Sequence, residues 1–485
     1  MPKVSSLEQD ALLAQWIEPV MNTLPVKSLL LPVLLGSAAL LGACADPGEA
    51  AQSPDKPRNV VVFVADGMGI STVTAARIFD GQQQGLDGES HSLHFEDFPH
   101  LSLVKTYNAD AQVPDSAGTA TALFSGYKAN IGTLNVPPQN ALSAMVADSC
   151  KGAADGMPPT LLERARAVDK SVGIVSTARL THATPAAVYA RAVDRGLESD
   201  SRMPAELAPL GCKSLAQQLI DTAPDVALGG GGRGFTESNL SGWTGPLVRT
   251  ATEMNAAGDG PVLGLFTDSH LSYEADRAGT DEPSLAEMTR FAIQRMRNDP
   301  DGYVLMVEAG RVDHAHHGTN AYRALTDMQA FNEAIRVATE TVSDDTLIII
   351  TADHSHVFVM QGYPMRGNPI LGLVETNRVD RESMQRTRGV SLDEDGKPYT
   401  TLGYYNGPNT RHAHEGVLTD DEVQDEDYQQ QTAIPLRSET HAGEDVPLYA
   451  TGPGAAAFGG RRLKRALRGW SSTRACPVRS AGRCA

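Results

Sequence analysis

Short apolar runs recur along the chain, and carboxylates stand at the ends of several of them. Val60-Val61-Val62-Phe63-Val64 leads to Asp66, Tyr303-Val304-Leu305-Met306-Val307 to Glu308, and Leu347-Ile348-Ile349-Ile350 to Asp353-His354. A further run, Ser171–Ser176, is followed by Thr181-His182-Ala183-Thr184. Runs this short and this rich in β-branched residues predict strands buried on both faces. Segments with helical character fill the gaps, among them Pro159–Val168, Ser214–Thr222, Ser284–Arg297 and Ala321–Val342. The alternation predicts an α/β fold: a doubly wound, mostly parallel central sheet with helices on both faces. In such sheets functional groups gather at the C-terminal ends of strands, where these acids lie. One strand-end aspartate often only caps the next helix. Carboxylates after three buried strands are costly unless something compensates their charge, and metal ions are the natural partners.

Composition narrows the picture. The chain has 485 residues, 41% hydrophobic and 21% charged, so it can bury a large core. Its formal net charge of −18 argues against nucleic acid as a partner, because phosphate backbones call for basic surfaces. Small phosphorylated substrates remain compatible, since bound cations reverse the sign locally. The cysteines are Cys44, Cys150, Cys212, Cys476 and Cys484, with no CxxC pair, which argues against a zinc–thiolate site.

From Met21, which reads as the true start, Lys27 precedes an apolar run from Ser28 to Leu41. Residues 1–43 have the layout of an export signal, whose apolar run is too short to span a membrane. Leu41-Gly42-Ala43-Cys44 resembles a bacterial lipoprotein box, with Cys44 as the lipidated residue; in the alternative, a plain secretory signal, Cys44 is incidental. The expected location is the periplasm or the outer membrane, with residues 44–57 as a flexible tether. Export permits disulfides, so Cys150 and Cys212 read either as a bridge or as two free thiols. Residues 461–485 carry eight basic side chains and no acid, unlike the acidic body: a basic tail, or a frameshift near Gly460.

The densest set of ligand-type residues is Asp313-His314-Ala315-His316-His317, in which Asp313 and His317, four apart, face the same way on a helix or turn. Asp353-His354 and His441 add further donors, and mixed His/Asp ligands suit zinc. Asp66, Glu308 and Thr184 offer only oxygen, which suits magnesium. Pro114-Asp115-Ser116 precedes the small residues Ala117-Gly118-Thr119-Ala120, predicting a turn into a helix with Ser116 near its N-terminus, where anions are favoured. A serine there also reads as a helix cap. No GxSxG elbow is present, so metal coordination is the expected means of activating the hydroxyl.

Together VADGMG, PDSAGTATA, HATPA, EAGRVDHAHHGT, TADHSH and ETHAGEDV resemble the alkaline phosphatases, more the animal-type branch than the enteric bacterial one. The resemblance implies a catalytic domain over residues 58–460, with a small crown insertion at about 363–433. It implies a phosphate-monoester hydrolase with Ser116 as nucleophile, two zinc ions, one magnesium, and a homodimer. Asp313, His317 and His441 would hold one zinc; Asp66, Ser116, Asp353 and His354 the other; Asp66, Thr184 and Glu308 the magnesium. His182, His314 and His316 would lie near the metals, and Arg195 would clamp phosphate. The family's disulfide falls at Cys150 and Cys212. Animal-type members also carry a calcium-like site; in its expected region, Phe266 to Glu282, Thr267 stands where an acid is expected. Two rivals share some of these features: a superfamily relative such as a phosphodiesterase, sulfatase or phosphomutase, and a non-enzymatic surface lipoprotein that binds metal or phosphate.

Overall fold

The computed structural model describes residues 56–138, 157, 159–207, 209, 211–379, 381–410 and 416–459, and the backbone of 462–463. The export signal, Cys44, Cys150, Cys476 and Cys484 lie outside the described residues.

The apolar runs form strands, in chain order β1 (Asn59–Ala65), β2 (His100–Val104), β3 (Ser171–Arg179), β4 (Val226–Gly230), β5 (Leu247–Val248), β6 (Val262–Leu265), β7 (Tyr303–Ala309) and β8 (Thr346–Thr351). Two short strands follow, β9 (Ser355–His356) and β10 (Phe358–Met360), then β11 (Glu375–Val379), β12 (Arg386–Val390) and β13 (Leu402–Gly407). The last are β14 (Thr432–Pro435), β15 (His441–Ala442), β16 (Val446–Thr451) and β17 (Arg462–Leu463). Ten of them build the central sheet, in the order β17-β2-β16-β8-β1-β7-β3-β4-β6-β5. Neighbours run parallel except where β16 meets β8 and β2. Every residue of β1, β7 and β8 is buried, so both faces of the sheet are covered at its middle.

Five helices matter for the site: α1 (Ile70–Gln83), α2 (Ser116–Ser125), α3 (Leu285–Met296), α4 (Arg311–His317) and α5 (Ala321–Thr341). The predicted starts at Ser284 and Ala321 match observed caps. The Ser284 side chain accepts from Glu287 N, and the Asn320 side chain accepts from Arg323 N. Phe331 of α5 meets Phe63 of β1 edge-to-face at 5.9 Å between ring centres.

The segment from Tyr363 to Ala433 departs from the sheet. It carries the β11–β12 hairpin and β13, and β13 pairs with β10 and β14 in a separate small sheet. Among the described residues no helix is long and apolar enough to cross a membrane.

Register explains how distant residues meet. On β1, Val64 is level with Glu308 of β7 and with Thr351 of β8. On β7, Glu308 is level with Ser176 of β3. The ends of β8, β1, β7 and β3 therefore open onto one edge, with Asp353-His354, Asp66, Glu308 and the His182–Thr184 turn side by side.

Candidate metal centre

The loop before α2 is fixed by its aspartate. Asp115, not Ser116, caps the helix: its Oδ1 accepts from Gly118 N at 3.1 Å and from Asn108 Nδ2 at 2.8 Å. Asp115 Oδ2 accepts from Gly132 N at 3.0 Å and meets Arg195 at 3.4 Å. Ser116 becomes the first residue of the helix, and its buried hydroxyl is released for the site.

Ser116 Oγ lies 3.2 Å from His354 Nε2. The same nitrogen is 3.3 Å from Asp66 Oδ1 and 3.3 Å from Asp353 Oδ2. Gly67 supports this group. It turns the chain at φ +81°, and its N–H donates to Asp353 Oδ1 at 3.2 Å.

A second group centres on Asp313 Oδ1, which is 3.3 Å from His441 Nε2 and 3.4 Å from His317 Nε2. His317 Nε2 and His441 Nε2 are 3.2 Å apart. The His317 and His441 rings are oriented through their Nδ1 atoms, 2.7 Å from Glu439 O and 2.8 Å from Pro114 O. Asp313 is also 3.9 Å from His354, so the two groups adjoin.

The third group lies on the other side of Asp66. Asp66, His182 and Glu308 each place a ligand atom within 4.8 Å of the others. Glu308 is bonded through one oxygen to Ser176 Oγ. Both oxygens of Asp66, Oε1 of Glu308 and Oγ1 of Thr184 are buried without a hydrogen-bond partner. Buried polar atoms are normally paired, so this set is chemically incomplete as it stands. A cation is the group that satisfies several acceptors at once.

The electrostatics agree. Burial, then the charges of Asp353, Asp313 and Glu308, push the Asp66 carboxyl well above its usual range. Burial pushes Glu308 up to about 8 and raises Asp353. Burial also works against charge on Asp313, but His317, His356 and His441 hold its carboxyl well below the ordinary value. His354 and His182 are kept neutral, first by burial and then by His441 and Arg195 respectively. Neutral imidazoles beside dry carboxylates are donor sets suited to divalent metal.

Other expected residues fall around these groups. Arg195 reaches His182 Nε2 at 3.0 Å while held by Asp115. His314 packs against His270 at 4.0 Å and His182 at 5.4 Å between ring centres. His316 turns away from the three groups, with its nitrogens near Thr72 and Tyr404. In the Phe266–Glu282 region, Thr267 donates to Ser269 O and Glu282 accepts from Ser272 N, so both are engaged locally.

Two residues of the centre were given no role by sequence reasoning. His356 bridges Asp313 at 2.9 Å and Glu439 Oε2 at 2.6 Å. Burial opposes its charge, yet Glu439 and Asp313 push it up to about 10, so it persists as an imidazolium between two carboxylates. The alternation His354-Ser355-His356 carried a signal, because residues two apart on an extended segment share a face. Glu439 had none.

Fold and site together define an α/β protein with buried His/Asp groups of metal-binding chemistry and a buried serine at a helix N-terminus. The family described as alkaline phosphatase matches residues 57–245 and 242–467. The tissue-nonspecific alkaline phosphatase of Gallus gallus is 40% identical over 435 residues, covering 82% of this chain and 80% of the relative. An alkaline phosphatase of Gadus morhua is 40% identical over 438 residues, covering 82% and 87%. Among solved structures, the Thermus thermophilus alkaline phosphatase superposes with a TM-score of 0.58 at 26% identity, covering 82% of this chain and 87% of that one. A mutant alkaline phosphatase from the bacterium TAB5, with magnesium in its M3 site, shares the fold at a TM-score of 0.56 and 20% identity, covering 84% and 94%. The chain belongs to the alkaline phosphatase family and is a phosphoric monoester hydrolase.

Proposed function

We propose that phosphate monoesters are hydrolysed through a phosphoserine at Ser116, in a centre of two zinc ions and one magnesium. The observation that carries this reading is the convergence on one buried hydroxyl: Ser116 Oγ is 3.2 Å from His354 Nε2, which is itself 3.3 Å from both Asp66 and Asp353. Asp313, His317 and His441 would hold the first zinc. Asp66, Asp353, His354 and Ser116 would hold the second, and Asp66, Thr184 and Glu308 the magnesium. Bound, these ions would supply Lewis acidity, easing deprotonation of the hydroxyl and of water and neutralising charge on the phosphoryl oxygens.

The chain's own groups then have defined tasks. The Ser116 oxygen attacks phosphorus in line; the Ser116 O–P bond forms as the ester P–O bond breaks, and the alcohol departs. Water attacks the phosphoserine from the vacated side, returning the serine and releasing phosphate. Two inversions leave the configuration at phosphorus unchanged. The Ser116 and Ala117 amides that open α2 would face the phosphoryl oxygens, and the planar fork of Arg195, aimed by Asp115, would grip two of them. These contacts hold the phosphate and none the leaving group, which fits broad specificity.

The same reading extends to export, lipidation at Cys44, a periplasmic or outer-membrane location and a homodimer. Its support there is the sequence and the family resemblance. A Cys150–Cys212 bridge belongs with it, supported by the disulfide-bonded state of Cys212. The test is activity on p-nitrophenyl phosphate, bis-p-nitrophenyl phosphate and p-nitrophenyl sulfate, before and after chelation and after zinc and magnesium are restored. The expected result is monoesterase activity that chelation removes and the two metals together restore. Preference for the diester or the sulfate, or activity indifferent to chelation, would refute the reading.

A further inference from the structure

We propose that Tyr404, on the inserted segment, is a positioning residue for the first zinc site, acting through His316. The inference rests on the reading that Asp313, His317 and His441 hold zinc. Both side chains are buried, and the Tyr404 Oη to His316 Nδ1 distance is 2.7 Å. The other ring nitrogen, Nε2, is 3.1 Å from Thr72 Oγ1 on α1. A neutral imidazole has one donor and one acceptor, and both are used here, so the ring is fixed in plane and rotation. His316 adjoins His317 in sequence and lies three residues after Asp313, on the seven-residue helix α4. Its ring also packs at 4.8 Å between centres against His356, which bonds Asp313. A helix of two turns has little rigidity of its own, so contacts of this kind set its rotation.

The same insertion holds the end of α4. Gly318 O accepts from Gln429 Nε2 at 3.0 Å, and Thr319 O accepts from Gln430 N at 2.7 Å. Asn320 Nδ2 donates to Glu426 O at 2.8 Å. None of these residues belongs to the three ligand groups. They grip the element that carries two of the first-site ligands, and Tyr404 meets that element at the buried ring of His316. The second zinc set lies on the ends of β1 and β8 and on α2, off this helix. Loosening α4 therefore acts on one ion of the two.

The test is release of zinc from the metal-loaded enzyme to a chromogenic chelator, compared between the unaltered protein and Tyr404→Phe. Expected is about tenfold faster release of one zinc ion, the range seen when supports behind metal ligands are removed, with the other ion unchanged. Thr72→Ala, which strips the opposite ring nitrogen of its partner, should accelerate the same ion. Leu219→Ala, a core truncation in the helix Leu215–Thr222, should lower Tm without changing either release rate. Unchanged release in both Tyr404→Phe and Thr72→Ala, or equal acceleration of both ions, overturns the proposal and leaves the zinc reading standing. An unaltered protein that holds no zinc overturns the zinc reading itself, and this proposal with it.

Discussion

Asp115 decides what Ser116 can do. By taking the capping position it satisfies the amide of Gly118, and through its second oxygen it aims Arg195. The serine hydroxyl, left over from the cap, faces His354 instead. Replacing Ser116 by Ala is expected to lower kcat by at least about 10³-fold, the scale of losing a covalent nucleophile, with no phosphate retained on the protein after acid quench. Arg195→Ala removes two charge-assisted bonds worth about 1.5–3 kcal/mol each, so kcat/KM for a monoester should fall by about 10²–10⁴-fold. Steady-state kinetics check both. Most residues of the site were legible in the sequence because they sit in motifs whose chemistry is explicit, such as Asp353-His354 and Asp313 with His317. Glu439 was not, because its tie to His356 spans 83 positions and leaves no local pattern. His316 was legible only as a histidine in a ligand run; its contacts with Thr72 and Tyr404, 244 and 88 positions away, belong to the folded chain alone.

At the level of elements, buried apolar runs foretold the central strands, and the helical segment read over Ser284–Arg297 coincides with α3. The short strand β15 was invisible, since two residues carry no periodicity; its pairing with β9, His441 opposite His356 in a separate two-stranded sheet, depends on the folded chain. The turn after β1 joins strand geometry to the site. Gly67 adopts φ +81°, and an added Cβ would come within 2.5 Å of His356 Nε2. Gly67→Ala therefore meets both a left-handed backbone cost of about 1–2 kcal/mol and a clash with the imidazolium that steadies Asp313. Its expected effect is a lowered Tm together with reduced zinc content, measured by thermal denaturation and elemental analysis. A variant that keeps full zinc content would show that this turn has no hold on the centre.

For the whole molecule, the cost of gathering these carboxylates sets how stability depends on metal and pH. In the metal-free folded chain Glu308 keeps its proton up to about pH 8 against an ordinary value of 4.5, and His356 up to about pH 10 against 6.5. Between pH 6.5 and 8 the folded state thus binds more protons than the unfolded one, and stability falls as pH rises. The two groups together contribute a loss of about 3 kcal/mol across that window. His354 and His182, already neutral when folded, work in the opposite sense only below the ordinary imidazole pKa. Melting of chelator-treated protein should show Tm declining from pH 6.5 to 8, and zinc with magnesium should abolish the decline. A metal-free Tm that is flat or rising there would contradict this assignment of charge.

The most direct test is to quench the zinc- and magnesium-loaded enzyme in acid during turnover of a phosphate monoester and to map the phosphorylated peptide. The predicted result is phosphate on Ser116, absent in Ser116→Ala. Phosphate on a different residue, or full turnover by the Ser116→Ala protein, would contradict the role given to that serine.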